Sequence, residues 1–552
     1  MEITVGGGGS VASARVADTH SPASVPGSID RSASTVRFVY PFIFSGETLP
    51  ERADRFAALT RTIGKSERHV WTRQPFVTDD MLAHVAAFVD PPPHAPLSAG
   101  LWRIEDEVLR SPSGLGAGRN HPGADWTLVT RLGEVRFAIE AIELALFEHG
   151  VGFVIISALP ESPELADWFT FLHFFRHVSG KRASEVRAVR RVGPDEPDGT
   201  PRTLDFFPSI GRHDAADRSQ SPAPHHFGEI IEALLAGGAR AGARHPWWRE
   251  IFVPGMLLPY AALFVDACRP DDVQMVRYRL RNFFHAEQFV HPSLDDDGTG
   301  LLPYAANQWF FSSLNGGGFL GFDVPPTEFF RATLPGHIRA QYFLLFLLAL
   351  EQRFVLMQLS QEVAEQWGGA GERPTEAARA AAFADIRDRL LAFTAQGYFA
   401  QTMQEEHHHH SYSLWQQTFE LPRLYDTVAA EVREMHAYLE QRQRDHVEHM
   451  ARVQENRSAT MDRRLNLVTW LLGIPVSLLL VVNASSNIAA VRHLIAGPLA
   501  VQGYDLIIGL ILEVAGVGIG FLAYRSLNRR MRRNDREAAE APPRRRLVGD
   551  DD

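Results

Sequence analysis

LNLVTWLLGIPVSLLLVVN (Leu465–Asn483) and LIIGLILEVAGVGIGFLAY (Leu506–Tyr524) decide how this chain is read. Each approaches the ~20 apolar residues that a helix needs to cross ~30 Å of hydrocarbon. The first carries no charge and the second only Glu513. Joined by Ala484–Asp505, they predict a transmembrane helical hairpin with both ends on one side of a bilayer. Arg463 and Arg464 precede the first stretch, and Arg525, Arg529, Arg530, Arg532 and Arg533 follow the second. The connection has only Arg492 as a fixed cation. Positive residues gather on the cytoplasmic side, so both termini are expected in the cytoplasm, beneath a small membrane anchor or pore.

Outward from that hairpin, 552 residues exceed one typical core, so more than one domain is expected. A net charge of −11 with 22% charged residues excludes a nucleic-acid binder on electrostatic grounds. The single cysteine, Cys268, excludes an internal disulfide framework and suits a reducing compartment. Met1–Thr35 is rich in Gly, Ser, Ala and Pro, lacks the apolar core of a secretory signal, and reads as a disordered arm.

Residues 36–420 read as a cytoplasmic α/β domain with a helical bundle. VRFVYPFIF (Val36–Phe44) is aromatic and β-branched, which predicts a buried strand. Glu51–Ile63 predicts a helix, and the Pro/Gly/Ser-rich segment from Asp90 to Asp125 a long loop. Ile139, Ile142 and Leu146 at helical spacing, with Gly150 beyond, predict a helix over Val135–Phe147. Val151–Ala158 then reads as a strand and Leu165–Val178 as an aromatic-rich helix. Leu257–Asp266 and Asp271–Phe284 repeat that strand–helix order. The fragments HFFRH and NFFHA fall at comparable places in the two units. A β-hairpin is expected over Gln308–Asp323 around Asn315-Gly316-Gly317. Alternation of strands and helices predicts an α/β fold. His337–Trp367 reads as a buried helix, since its apolar run Tyr342–Leu350 is too short to span a bilayer, and Arg379–Phe393 as another.

Between Pro422 and Gly473 there is no Pro or Gly, while Leu424, Val428, Val432, Met435, Leu439, Met450 and Val453 keep a 3–4 spacing. Residues 421–464 therefore predict a long coiled-coil-like stalk helix that packs against copies of itself. Continuous with the first span it would reach ~90 Å at 1.5 Å per residue. The expected fold class is thus an α/β cytoplasmic domain, a long stalk helix, two C-terminal transmembrane helices (465–524) and a cytoplasmic tail (525–552).

This order of parts resembles the CorA-like superfamily of divalent-cation transporters, whose first span lines the pore of a pentamer and ends in Gly-Met-Asn or Gly-X-Asn. Here the first span ends Val481-Val482-Asn483, with Asn in place and Val where the family has Gly. Gln502-Gly503-Tyr504 stands where the family places a Tyr-Gly-Tyr-like element before the second span, and RSLNRRMRR matches its closing basic cluster. The resemblance implies a bacterial inner-membrane homo-oligomer, pentameric, that transports Mg²⁺ or another divalent cation such as Co²⁺ or Zn²⁺. Val481, Val482 and Asn483 are then the pore and selectivity residues, and Gly503 and Tyr504 introduce the second span. The loop carries Arg492 and lacks the acidic residue usual there, which weakens attraction for cations at the mouth.

Several residues draw a chemical reading beside a plain one. Asn483 is a selectivity-ring amide or an interfacial helix cap. Glu513, an intramembrane carboxylate, serves an ion path or faces a neighbouring helix. Ser477 and Thr469 hydrate a pore or bond their own backbone. His407, His408, His409 and His410 are a candidate transition-metal cluster, although a consecutive run lacks i, i+4 ligand spacing and reads first as a flexible tract that binds metal adventitiously. No nucleophile, P-loop or metalloprotease motif occurs, so a non-enzyme is expected. The rival to a transporter is a membrane-anchored effector or signal receiver, of the kind found in bacterial conflict systems, whose soluble body senses a protein or nucleotide-like signal.

Overall fold

The computed structural model describes residues 27–44, 56–57, 60–61, 71–92, 94–105, 126–177, 186–191, 203–205, 248–252, 256–285, 287, 300–368, 375–496, 518, 522, 525–526 and 529. The chain forms two compact units, Met1–Ala437 and Tyr438–Asp552. The first is a large mixed α/β domain. In chain order its strands are Ser28–Ile29 (β1), Thr35–Phe44 (β2), Trp71–Gln74 (β3), Ala99–Ile104 (β4), Trp126–Thr130 (β5), Gly133–Phe147 (β6), Val151–Pro160 (β7), Val186–Arg191 (β8), Thr203–Asp205 (β9), Trp248–Glu250 (β10), Leu258–Asp266 (β11), Leu301–Ala305 (β12), Gln308–Ser313 (β13) and Gly316–Phe322 (β14). Its helices are Ala83–Val89 (α1), Leu165–Phe175 (α2), Val273–Asn282 (α3), Phe343–Gly368 (α4), Glu376–Gln396 (α5), Glu406–Thr418 (α6) and the start of Leu421–Ala496 (α7). Two π-helical turns, Phe329–Thr333 and Ile338–Tyr342, lead into α4.

All the strands belong to one 14-stranded sheet, with the path β12-β13-β14-β11-β2-β7-β6-β5-β8-β9. Its described pairs are antiparallel except β11 with β14. β2 lies near the centre, pairing along its length with β7 and, on its other edge, with β11 at Thr35–Val39 and β10 at Phe42–Phe44. Alternate side chains of a strand point to opposite faces, and β2 has no solvent face. Val36, Phe38, Tyr40, Phe42 and Phe44 enter a core with α2 and α3, where Phe38 meets Phe175 at 4.5 Å and Phe171 at 5.7 Å. On the other face the Arg37 guanidinium lies 4.3 Å from the centre of the Phe343 ring of α4 and 3.8 Å from Glu143. Tyr260 and Phe153 pack on the same helix, against Phe343, Phe346 and Phe354.

Several expectations from sequence are corrected. Val135–Phe147 is strand β6, not a helix. Val135, Phe137 and Ile139 are buried in alternation, then the register shifts between Ile139 and Ala141 and the buried set becomes Ile142, Leu144 and Leu146. That bulge converts a two-residue period into the 139–142 interval of a helix. The expected loop from Asp90 to Asp125 contains β4, which pairs with β3 and β6. From Gly27 the N-terminal arm belongs to the sheet, since Ser28 and Ile29 pair with Asp266 and Val265. Along α7, Val428, Val432 and Met435 are buried within the first unit, so these members of the expected self-association seam are already covered. Met450 and Val453 remain exposed. The expected helix Glu51–Ile63 lies largely outside the described residues. The strands at Val36, Val151 and Leu257, the 308–323 hairpin and the helices at Leu165, Asp271 and Arg379 stand as read, within a few residues.

Phe329–Gln366 is long and apolar enough to cross a membrane by length and composition, but 83% of its apolar window is buried. It is the core helix of the domain, because it covers one face of the sheet. Within that core, His149 at the β6–β7 turn meets the fully buried Glu351 of α4, with Nδ1 and Oε1 2.7 Å apart. Phe88 stacks on the imidazole at 5.4 Å and Phe393 meets it edge-on at 5.4 Å. Burial pushes the Glu351 carboxyl above its ordinary range, with His149 opposing. The pair pins the turn to the helix.

β14 runs beside β11 so closely that a Cβ on Gly318 would collide with the backbone carbonyl of Ala261. Gly318→Ala is expected to cost about 3 kcal/mol or more. Gly336→Ala, in a helical turn with open space around it, should gain up to about 1 kcal/mol. Thermal midpoints of the two variants check this, and equal midpoints would contradict the close approach.

Candidate functional site

Two regions hold the residues singled out from sequence. The first is α7, a helix of 76 residues. Its later part belongs to the second unit and exposes Met461, Leu465, Val468, Trp470, Leu472 and Leu479. Pairs at i, i+4, Arg444–Glu440 and Arg452–Glu448 at 3.3 Å each, brace the polar part. Thr469 donates its hydroxyl to the Leu465 carbonyl at 2.8 Å, so it bonds its own backbone. Ser477, Val481, Val482 and Asn483 lie on this helical backbone, which passes through Pro475.

The helix does not end at Asn483. It continues to Ala496, so the first part of the expected connection Ala484–Asp505 is helical. The reason is local: Val481 and Val482 hold helical φ readily, where glycine would loosen the backbone. The next residues, ASSNIAAVRHLIA, contain neither Gly nor Pro, and Gly497-Pro498 follow directly. Gly503, Tyr504 and Glu513 lie outside the described residues.

The second region surrounds the histidine run. His407–His410 form the first turn of α6, a helix in place of the expected flexible tract. Successive residues on a helix point ~100° apart, so the four imidazoles diverge. His408 is 2% exposed, beneath Tyr342 at 4.8 Å and beside His407 at 4.2 Å between ring centres. His410 lies 3.8 Å from Glu406 at the surface, and His407 faces Tyr304 at 6.3 Å. Among the described residues no group of three or more His, Cys, Asp or Glu side chains is placed to hold a metal ion.

Around His408 gather polar residues that no motif announced. Asp80 has φ +66° and accepts from Gln341 Nε2 at 3.4 Å. Leu82 N–H donates to the Thr402 carbonyl at 2.9 Å, and Gln404 N–H to the Asp80 carbonyl at 3.3 Å. The π-helical turn Ile338–Tyr342 presents Gln341 and Tyr342 from the third side. Both His408 ring nitrogens, the Tyr342 hydroxyl, Gln341 Oε1 and Thr402 Oγ1 are buried without a protein hydrogen-bond partner. Buried polar groups are nearly always bonded, so this is a polar locus inside an aromatic wall. Burial, with His407 beside it, holds the His408 imidazole near pKa 4, against an opposing pull from Asp80. It is therefore neutral at pH 7, able to donate from one nitrogen and accept at the other.

No family model matches the chain, and neither a curated protein nor a solved structure matches it.

The depressed His408 value has a defined sign. Below the ordinary histidine value of 6.5 the unfolded chain takes a proton that the folded chain refuses until about pH 4. Stability should therefore fall as pH is lowered through that window. His408→Leu should flatten this dependence while leaving the neutral-pH midpoint little changed. Thermal midpoints from pH 7 to 4 for both proteins check it, and parallel curves would refute the assignment.

Proposed function

We propose that the chain is a CorA-like oligomeric membrane protein that passes divalent cations, its first span contributed by the distal part of α7. The observation that carries this reading is the unbroken helix Leu421–Ala496, which begins in the sheet-bearing unit and continues through the uncharged stretch Leu465–Asn483. Trp470 and Leu472 are 71% and 63% exposed along that stretch. Large apolar side chains facing outward from a helix mark a surface that another apolar phase covers. Arg463 and Arg464 immediately before it suit the cytoplasmic boundary. In an oligomer Asn483 would place one amide per subunit around a common axis, where carbonyl dipoles replace part of a cation's hydration shell.

A second reading is favoured by one observation. The backbone at Val481–Asn483 is helical and the helix runs on to Ala496, without the tight turn that the family's Gly permits. A membrane-anchored signal receiver that conducts no ions fits that geometry.

Flux into proteoliposomes separates the two. With purified oligomer, uptake of Mg²⁺, Co²⁺, Zn²⁺ or Ni²⁺ is expected, and Asn483→Ala should reduce it at least about tenfold, the loss of one coordinating interaction worth ~1.4 kcal/mol. Absence of flux for all four ions from an intact oligomer would overturn the transport reading in favour of the receiver.

A further inference from the structure

The helical lead-in to α4 widens twice, at Phe329–Thr333 and Ile338–Tyr342, and both π turns reach the same neighbour. The first has a local cause, since Pro335 has no N–H to give the preceding turn and its ring needs a wider one. The second contains neither Pro nor Gly. A π turn closes i→i+5 bonds and so holds one residue more than an α turn, an arrangement that is rare without a cause. Here the cause lies in contacts on three sides. Arg339 donates to the Ser32 carbonyl at 2.5 Å and to the Ser34 carbonyl at 3.1 Å. Tyr260 of β11 donates its hydroxyl to the Ile338 carbonyl at 3.1 Å. On the remaining side Gln341 donates to Asp80 at 3.4 Å, and Tyr342 packs on Phe310 at 4.6 Å and on His408 at 4.8 Å.

Segment 27–34, the neighbour of both turns, is fastened to the sheet as well. Ile29 N–H donates to the Pro163 carbonyl at 2.7 Å and Asp30 N–H to the Phe264 carbonyl at 2.9 Å. The Asp30 carboxylate accepts from the Ser32 N–H at 3.0 Å, and Arg331 of the first π turn bridges Asp30 at 2.9 Å and Asp266 at 3.1 Å. Each π turn thus gives one arginine to the segment, and the second also gives Gln341 and Tyr342 to the Asp80–His408 junction. If that second turn narrowed to an α turn, the chain before it would rotate by ~100° and shift by ~1.5 Å relative to α4. The contacts of Arg339 and of Gln341 could not both survive the rotation. An opposing influence acts on the wide turn. Gln341 Oε1, the Tyr342 hydroxyl and both His408 ring nitrogens are buried without a hydrogen-bond partner in the protein. Each such atom destabilises the arrangement that buries it. The ties to segment 27–34 favour the wide turn, and the unbonded atoms work against it.

We propose that Ile338–Tyr342 is a two-register switch that couples segment 27–34 to the Asp80–His408 junction. With the wide turn both are closed, and with an α turn both open together. Displacing segment 27–34 opens the junction, and drawing Gln341 away from Asp80 loosens the segment, because coupling of this kind is reciprocal. The switch lies in the sheet-bearing unit and does not depend on whether the chain conducts ions.

The test is amide hydrogen exchange of the full chain in neutral detergent, read by mass spectrometry. The Ile29 and Asp30 amides report on the segment. The Leu82 and Gln404 amides, bonded to the Thr402 and Asp80 carbonyls, report on the junction. Arg339→Gln removes a tie to the segment alone, yet should speed exchange about tenfold at both sets. Gln341→Leu removes a tie to the junction alone, yet should speed Ile29 and Asp30 as well. Deleting Ala340 takes the additional residue out of the turn, and the product, with its helix content checked by circular dichroism, should show both sets open at once. Where that deletion fails to fold, the two point variants decide. Acceleration confined to the side of the substitution, or none in either variant, overturns the coupling. A folded deletion variant that protects both sets overturns it too.

Discussion

A strand with no polar face has to be covered on both sides, and β2 imposes that requirement on everything around it. Its ten residues are apolar apart from Thr35 and Arg37. One face takes the aromatic ridge of α2 and the apolar side of α3, and the other takes α4. Helix α4 must in turn be apolar nearly all round, because α6 closes over it, with Phe346 against Trp415 at 4.7 Å. Where polar groups are trapped in these layers they are mostly tied. Tyr412 donates to Gln352, which donates to the Gly397 carbonyl, and His149 meets Glu351. Such ties fix how the helical layer registers on the sheet, since an unpaired buried group costs ~1–3 kcal/mol.

Against that background the group of unbonded polar atoms around His408 stands out. They lie on the helical layer and its π-helical lead-in. The polar locus around His408 belongs to the first unit, and the apolar stretch Leu465–Asn483 to the second.

What the sequence reveals depends on whether the signal is local. The buried strand at Val36–Phe44, the helix at Leu165 and the hairpin around Asn315-Gly316 are legible because composition and turn chemistry lie within a dozen residues. β6 is not, since its bulge puts Ile139 and Ile142 three apart and imitates a helix. β4 is hidden because Pro-rich flanks outweigh a six-residue strand. The position of Asn483 on a helix could be read, but not the continuation to Ala496, which rests on the absence of a breaker more than on any motif. The histidine run is conspicuous in sequence, yet only the fold shows that one of its members is buried. Asp80, Gln341, Tyr342 and Thr402 carry no shared pattern, being brought together across more than 300 positions of chain. HFFRH and NFFHA were visible as fragments, and it is strand direction that makes them neighbours.

The placement of β2 also bears on how the chain is made. Synthesis proceeds from the N-terminus, yet this early strand pairs with β7 and β11, which leave the ribosome more than 100 and 200 residues later. The first hundred residues therefore cannot reach their final fold alone, and the nascent strand, apolar on both faces, needs shielding until its neighbours emerge. Translation from an internal start beyond Phe44 would leave β7 and β11 as facing open edges with a strand-wide gap between them. Shortened products of that kind would be prone to capture a strand from another molecule, wherever between β2 and β7 the truncation falls.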